Sequence, residues 1–218
     1  MTDTEVSDAD TLPLGVFHEV SISVPDLAAS LAFYEAIGWQ QVPVRTVWPH
    51  PYAALTDGAV TLGLHQYRFP SPSVTCVHPD IAAALESHRD AGMVIAFAQT
   101  GPDRFNEFGF RDPHGHMVTL LEAPTHDAPA LSVAGSGRRS FLSLPAADID
   151  LGLRFWTVLG ARPGPTPPAD WPCRRFEAGG LPLALHDPAL LDRPAIVCDG
   201  IERRLAAPEG TPILPTGG

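Results

Sequence analysis

Three times along the chain a short apolar strand runs into a thirteen-residue segment that opens with Asp and an aliphatic residue and closes with Gly: residues 26–38, 80–92 and 148–160. Asp starts helices because its carboxylate accepts a hydrogen bond from the free N–H groups of the first turn, and Gly ends them by taking up the left-handed conformation. The first and third copies agree in detail: Leu27 with Ile149, Leu31 with Leu153, Phe33 with Phe155, Tyr34 with Trp156 and Ile37 with Leu159. Such a period restricts the chain to a small unit packed against copies of itself.

The unit is read from its first occurrence. Val20, Ile22 and Val24 alternate with Glu19, Ser21 and Ser23, the period of a strand with one apolar and one polar face. After the helix, residues 40–45 read as a strand, and 52–55 with 60–65 as a hairpin turning at Asp57-Gly58. Strand, helix and three strands recur over 74–122, where Asp112-Pro113-His114-Gly115 has the order of a type I turn. These two units make one expected domain, residues 14–123. Residues 124–139, rich in Pro, Ala, Ser and Gly, read as a linker, and 140–218 as a partial second domain. There the third copy closes with a hairpin of 174–177 and 181–186, and Leu62-Gly63-Leu64-His65 returns as Leu183-Ala184-Leu185-His186. The fourth copy is short: 195–198 is expected as a strand and 201–207 as a helix, with no room for three further strands. The fold class is α+β, built of repeated βαβββ modules.

Charge and residue usage exclude several functions. A net charge of -11 opposes binding to nucleic acid or an anionic membrane surface, since both require a basic footprint. Every one of the 14 basic residues is Arg, which removes Schiff-base chemistry, lysine general bases and a P-loop. Cys76, Cys173 and Cys198 lack the spacing of a zinc site or a disulfide framework. Residues 1–13 are acidic and read as a disordered tail without the features of a secretory signal, and no apolar run reaches membrane-spanning length. The expected location is the cytoplasm.

Two stretches carry a more specific likeness. Residues 20–39, V-S-I-S-V-P-D-L-x-x-S-L-x-F-Y-x-x-x-G-W, and 110–120, F-R-D-P-H-G-H-M-V-T-L, resemble the opening strand-helix and the closing D-P-x-G hairpin of the vicinal oxygen chelate superfamily. That group includes glyoxalase I, extradiol dioxygenases and bleomycin-binding proteins. The resemblance implies that paired modules curl their sheet into a cup that holds the ligand, with metal-binding side chains projecting from the first and last strands of each module. Carried onto this chain, those positions are Glu19, Gly63, Pro72 or Ser73, and Thr119. Glu19 alone is a good ligand there, whereas a divalent ion takes three or four N or O side chains.

The expected cup surface is Glu19, Ser21, Ser23, Thr61, Gly63, His65, Met117, Thr119 and Leu121, with Trp48 and Tyr52 closing over it. Glu19 and His65 are the catalytic candidates, as a carboxylate-oriented base or as ligands for Ni, Mn, Fe or Zn; the other expectation is that no cofactor is used. His18 joins them only if a slip or bulge turns it, because alternation points it to the opposite face. His78 and His88 are expected to face water, His114 and His116 to be solvated turn residues, and Glu107 to pair with Arg111 at the rim. The leading function is a glyoxalase- or bleomycin-resistance-like protein that binds a small organic molecule. Its alternatives are a metal-dependent lyase, isomerase or dioxygenase, and a binding or assembly module whose unfinished fourth unit supports a homodimer.

Overall fold

A computed structural model describes residues 12, 14–127, 140–165 and 171–216. The first unit is β1 (Val16–Ser23), α1 (Leu27–Ala36), β2 (Gln40–Val42), β3 (Tyr52–Thr56) and β4 (Thr61–His65). The second is β5 (Ser73–Val77), α2 (Ile81–Asp90), β6 (Ile95–Gln99), β7 (Glu107–Arg111) and β8 (Met117–Leu121). The third is β9 (Phe141–Pro145), α3 (Ile149–Val158), β10 (Arg162–Pro163), β11 (Arg174–Ala178) and β12 (Leu181–His186). β13 (Ala195–Cys198), β14 (Leu205–Ala206) and β15 (Pro212–Pro215) form the fourth.

Each repeated Asp caps its helix. Asp26 accepts from the Ala29 N–H at 3.0 Å, Asp80 from Ala83 at 3.0 Å and Asp148 from Leu151 at 2.8 Å. Gly38, Gly92 and Gly160 end the same helices at φ 92°, 78° and 81°, where a side chain would be strained.

Eight strands form one sheet in the order β2-β3-β4-β1-β5-β8-β7-β6. Within each unit the first and last strands run parallel, β1 beside β4 and β5 beside β8, and the units join through the antiparallel β1–β5 pair. The registers Ser21↔Gly63 and Thr75↔Thr119 are therefore equivalent, which also matches Glu19 with Ser73 and His65 with Leu121. The remaining strands form a second sheet, β10-β11-β12-β9-β13-β15-β14, on the same plan but one strand short.

Val20, Ile22, Leu62, Leu64, Val74, Phe108, Phe110, Val118 and Leu120 of the first sheet share one apolar cluster with Leu142, Leu144, Leu183, Leu185, Ile196 and Ile213 of the second. Tyr34 of α1 and Trp156 of α3 are fully buried in it. Each aromatic of that size removed from water contributes on the order of 2–3 kcal/mol. The helix-bearing faces of both sheets thus meet in a common core, and the opposite faces are left to line cups.

Four expectations are corrected. No helix forms over 201–207; that stretch is irregular apart from β14. It offers too few residues before Pro208 and Gly210 to repay helix nucleation. β2 stops at Val42 because Pro43 has no N–H to donate, and Val44 then makes a single bridge with His126. His88 does not face water: it is fully buried, with Nδ1 on the Ala84 carbonyl at 2.7 Å. Glu107 bonds Gln99, whereas Arg111 donates to the Gly115 carbonyl.

The expected tail lies outside the described residues except at its end, where the Leu12 N–H donates to the Val158 carbonyl at 2.8 Å. Residues 128–139 of the expected linker also lie outside them. Residues 124–127 pack onto the first sheet, with Arg45 N–H donating to Thr125 and Asp127 N–H to Pro43. Among the described residues no helix is long and apolar enough to cross a membrane.

Candidate functional site

The concave face of the first sheet holds a cavity of about 310 Å³. Trp48, His50, Tyr67, Phe69 and Phe97 give it aromatic walls, and Met117 and Leu121 an apolar floor. Hydroxyls punctuate that floor, yet they satisfy one another: Ser21 Oγ lies 2.7 Å from Thr75 Oγ1, and Ser73 Oγ 2.8 Å from Thr119 Oγ1. His65, Gln99 and Glu107 are the remaining polar groups at its edge. A pocket of this kind holds an organic molecule by burying its apolar surface and orients it with a few polar contacts.

Glu19 lies beneath this cavity and is fully buried. Ser21 Oγ donates to its Oε1 at 2.7 Å, His65 Nε2 lies 2.9 Å from the same oxygen, and Tyr52 OH donates to Oε2. Burial alone would raise the carboxyl's pKa, but the hydrogen bond and charge of His65, with His18 and Tyr52, outweigh it and hold the group down at about 2. Glu19 is an anion, and an anion only accepts, so His65 carries its proton on Nε2. His65 Nδ1 lies 3.0 Å from His50 Nε2, and the two nitrogens share a proton between them. The result is a line of groups, carboxylate to imidazole to imidazole, that ends on the cavity wall. His50 is itself pushed below the ordinary histidine pKa, by burial first and His65 second.

Gly63 makes room for this arrangement. A Cβ on residue 63 would stand 2.1 Å from Glu19 Oε1 and 2.2 Å from Oε2, so the carboxylate occupies the space of the absent side chain. Of the four positions at which the resemblance implies metal ligands, Gly63 offers no side chain. Ser73 and Thr119 are spent on each other, which leaves Glu19 as the one ligand of the four. That donor set does not fit a divalent ion.

The expected site residues separate into three groups. Ser21, Trp48, His65, Met117, Thr119 and Leu121 line the cavity. Glu19 and Tyr52 support it from behind. Ser23 and Thr61 do not take part: Ser23 Oγ donates to the Tyr67 carbonyl, and Thr61 lines a different opening of the cup. His18 is turned, because β1 bulges between Phe17 and Glu19. Its Nε2 lies 2.9 Å from Thr125 Oγ1, and the same oxygen is 3.0 Å from Tyr52 OH, which bonds Glu19. Sequence reasoning missed His50, Tyr67 and Phe69, which lie on irregular segments without periodicity. Thr125 and His126 were hidden in a stretch that reads as linker, although the Trp48-Pro49-His50-Pro51 run does mark a stiff loop with aromatic content.

The equivalent cup of the second sheet is closed. Phe141 stands where Glu19 stands, and it packs with Cys173, Ala184, Leu191, Ala195, Val197, Leu214 and Trp171 in a separate apolar cluster. His186, the counterpart of His65, is fully buried between Ser143 Oγ at 2.7 Å and the Leu191 carbonyl at 2.9 Å.

Known structures share this arrangement over nearly the whole chain. A catechol 2,3-dioxygenase is 13% identical and superposes with a TM-score of 0.57, over 94% of this chain and 88% of that one. BphC, a halotolerant catechol dioxygenase, gives 0.59 at 13% identity, covering 95% and 88%. Homoprotocatechuate 2,3-dioxygenase from Brevibacterium fuscum, as its E323L mutant, gives 0.62 at 14%, covering 95% and 72%. The fold is that of the vicinal oxygen chelate superfamily. No protein-family model matches the sequence, and no curated protein does. At these identities the likeness concerns the vicinal oxygen chelate fold alone. What the first cup does must be argued from its own residues.

Proposed function

We propose that the protein binds a small aromatic organic molecule in its N-terminal cup, in the manner of the glyoxalase- and bleomycin-resistance-like members of this fold, without the full metal site that their four strand positions make together. One observation carries this reading: an aromatic-walled cavity of about 310 Å³ lies over strand positions occupied by Gly63, Ser73 and Thr119. The volume suits a ligand of one or two rings. The structural neighbours are named for catechol and homoprotocatechuate, which are ligands of that size. Stacking on Trp48, His50 and Tyr67 supplies affinity, and Glu107 and Gln99 at the edge select for a polar substituent. The test is quenching of tryptophan fluorescence and thermal shift with a panel of catechols, phenols and aromatic acids in chelator-treated buffer. Trp48→Ala should weaken the best ligand at least tenfold, and a panel in which no compound saturates below millimolar concentration sinks the reading.

A second reading is favoured by the Glu19–His65–His50 line. Its geometry suits proton transfer to or from a bound ligand, with His65 as a base that acts through His50 and Glu19 fixing its tautomer. Following the same incubations for a product distinguishes the two. An enzyme converts its ligand and loses that ability in His65→Asn, whereas a sequestering protein returns every compound unchanged.

A further inference from the structure

On the far side of Glu19 from the cavity floor, three buried side chains with ligating atoms converge. Glu19, His18 and His126 each bring one such atom, and the three lie within 4.8 Å of one another. Two of them arrive through features outside the strand pattern, His18 through the bulge in β1 and His126 through the chain after β8. Their rings stack at 3.8 Å between centroids, 11° from parallel.

The hydrogen bonds around this group arrange it as ligands are arranged. His126 Nδ1 donates to the Asp127 carbonyl at 2.8 Å, which fixes the tautomer and leaves a lone pair on Nε2. That Nε2 is buried and has no hydrogen-bond partner, and it looks at Glu19 Oε2 across 3.7 Å. Ser21 and His65 hold the other oxygen of the carboxylate, Oε1, and Tyr52 OH donates to Oε2 itself, which leaves Oε2 one further lone pair. A lone pair and a carboxylate oxygen facing each other at buried positions are unfavourable unless positive charge or a donor stands between them. His18 has Nε2 against Thr125, with Oγ1 at 2.9 Å and the backbone N–H at 3.0 Å. The Thr125 backbone N–H donates to that Nε2, which puts the ring proton on Nδ1, so an ion takes the Nε2 lone pair in competition with Thr125.

We propose that Glu19, His126 and His18 form a binding site for a borderline divalent transition ion such as Zn²⁺, Co²⁺ or Ni²⁺, which keeps Glu19 of the four strand positions named above and uses none of the other three. Two imidazoles and one carboxylate are the donor set such ions prefer. The second opening of the cup, lined by His18, His126 and Glu122, gives the ion a route and leaves space for water as a further ligand. The aromatic cavity is not on this route, so the site stands or falls independently of what that cavity binds.

The experiment uses the full chain, stripped with chelator and titrated with Co²⁺ and Zn²⁺ by calorimetry, with visible absorption of the Co²⁺ form. One ion per chain is expected, with Co²⁺ bands of low-coordinate strength. His126→Ala and Glu19→Gln should each weaken binding at least a hundredfold. X-ray absorption of the unmodified Co²⁺ protein should count two imidazole ligands, a readout that survives if either variant fails to fold. Absence of a stoichiometric ion overturns the proposal, as does wild-type affinity in His126→Ala or a bound ion without imidazole. A His126 that is doubly protonated by ¹⁵N NMR at pH 7 and takes no ion would also overturn it, by assigning the intervening positive charge to a proton.

Discussion

A methyl group added at residue 63 has nowhere to go, since its carbon would overlap both carboxylate oxygens of Glu19. Gly63→Ala should therefore expel Glu19 from its bonds with Ser21, Tyr52 and His65, at a cost of about 1–3 kcal/mol of stability from overpacking. The check is a pairwise cycle in urea. Glu19→Ala combined with Gly63→Ala should cost clearly less than the sum of the two single changes, because the first vacates the space the second needs. Glu19 and His65 are legible in the sequence, because alternation along β1 and the two-residue step from Gly63 to His65 put all three on one strand face. His18 was not. A bulge adds one residue to a strand and leaves no mark in a hydrophobic pattern, so alternation assigned it to the wrong face. His50 and His126 lie on segments whose positions come from distant contacts, and local sequence carries no information about those.

Helices and strands explain why one cup is open and the other shut. On β9 the position of Glu19 is taken by Phe141, with the Arg175 guanidinium 4.4 Å above its ring, and the cup fills with apolar side chains. The repeat of helix, cap and closing hairpin was readable in three copies because capping and periodicity are local properties. The fourth differs because Ile201 and Leu205, spaced as on a helix face, pack on the core from an irregular segment too short before Pro208 to nucleate a helix. Buried histidines on these elements make a pH prediction. His88 on α2 and His186 on β12 are both held below the ordinary pKa of 6.5, chiefly by burial. Protons therefore bind the unfolded chain more readily, so stability is complete above pH 6.5 and declines as pH falls below it. Urea midpoints measured from pH 7.5 down to 5.5 should decrease. His88→Leu, which removes a group whose Nε2 also lacks a partner, should flatten that slope. A midpoint independent of pH over this range contradicts the assignment.

At the scale of the molecule the two sheets are joined by side chains as well as by apolar surface. Glu209, in the turn between β14 and β15, accepts from Ser30 Oγ at 2.8 Å and from Tyr34 OH at 2.7 Å, both on α1. Ser30 and Tyr34 are each fully buried. His114 reaches across elsewhere, with Nε2 2.9 Å from the Asp148 carbonyl, and Phe110 meets Phe155 of α3 with ring centroids 6.3 Å apart. The fourth unit lacks a helix, and α1 of the first covers it: Tyr34 shares its cluster with Cys198, Ala207 and Ile213. The shortened half therefore completes the core of the half that carries the cup. Glu209→Ala strands the buried Ser30 hydroxyl and takes one of two partners from Tyr34, whose OH also bonds Thr211, so the loss should be about 1–3 kcal/mol. Because the core is common, unfolding should remain a single transition with an unchanged urea m-value, followed in parallel by fluorescence and far-UV circular dichroism. A double cycle with Tyr34→Phe should return a coupling of 1 kcal/mol or more. Two separated transitions in the wild-type chain, or a coupling near zero, would show instead that the halves fold independently and that the contacts of α1 with the fourth unit contribute nothing to holding the cup in shape.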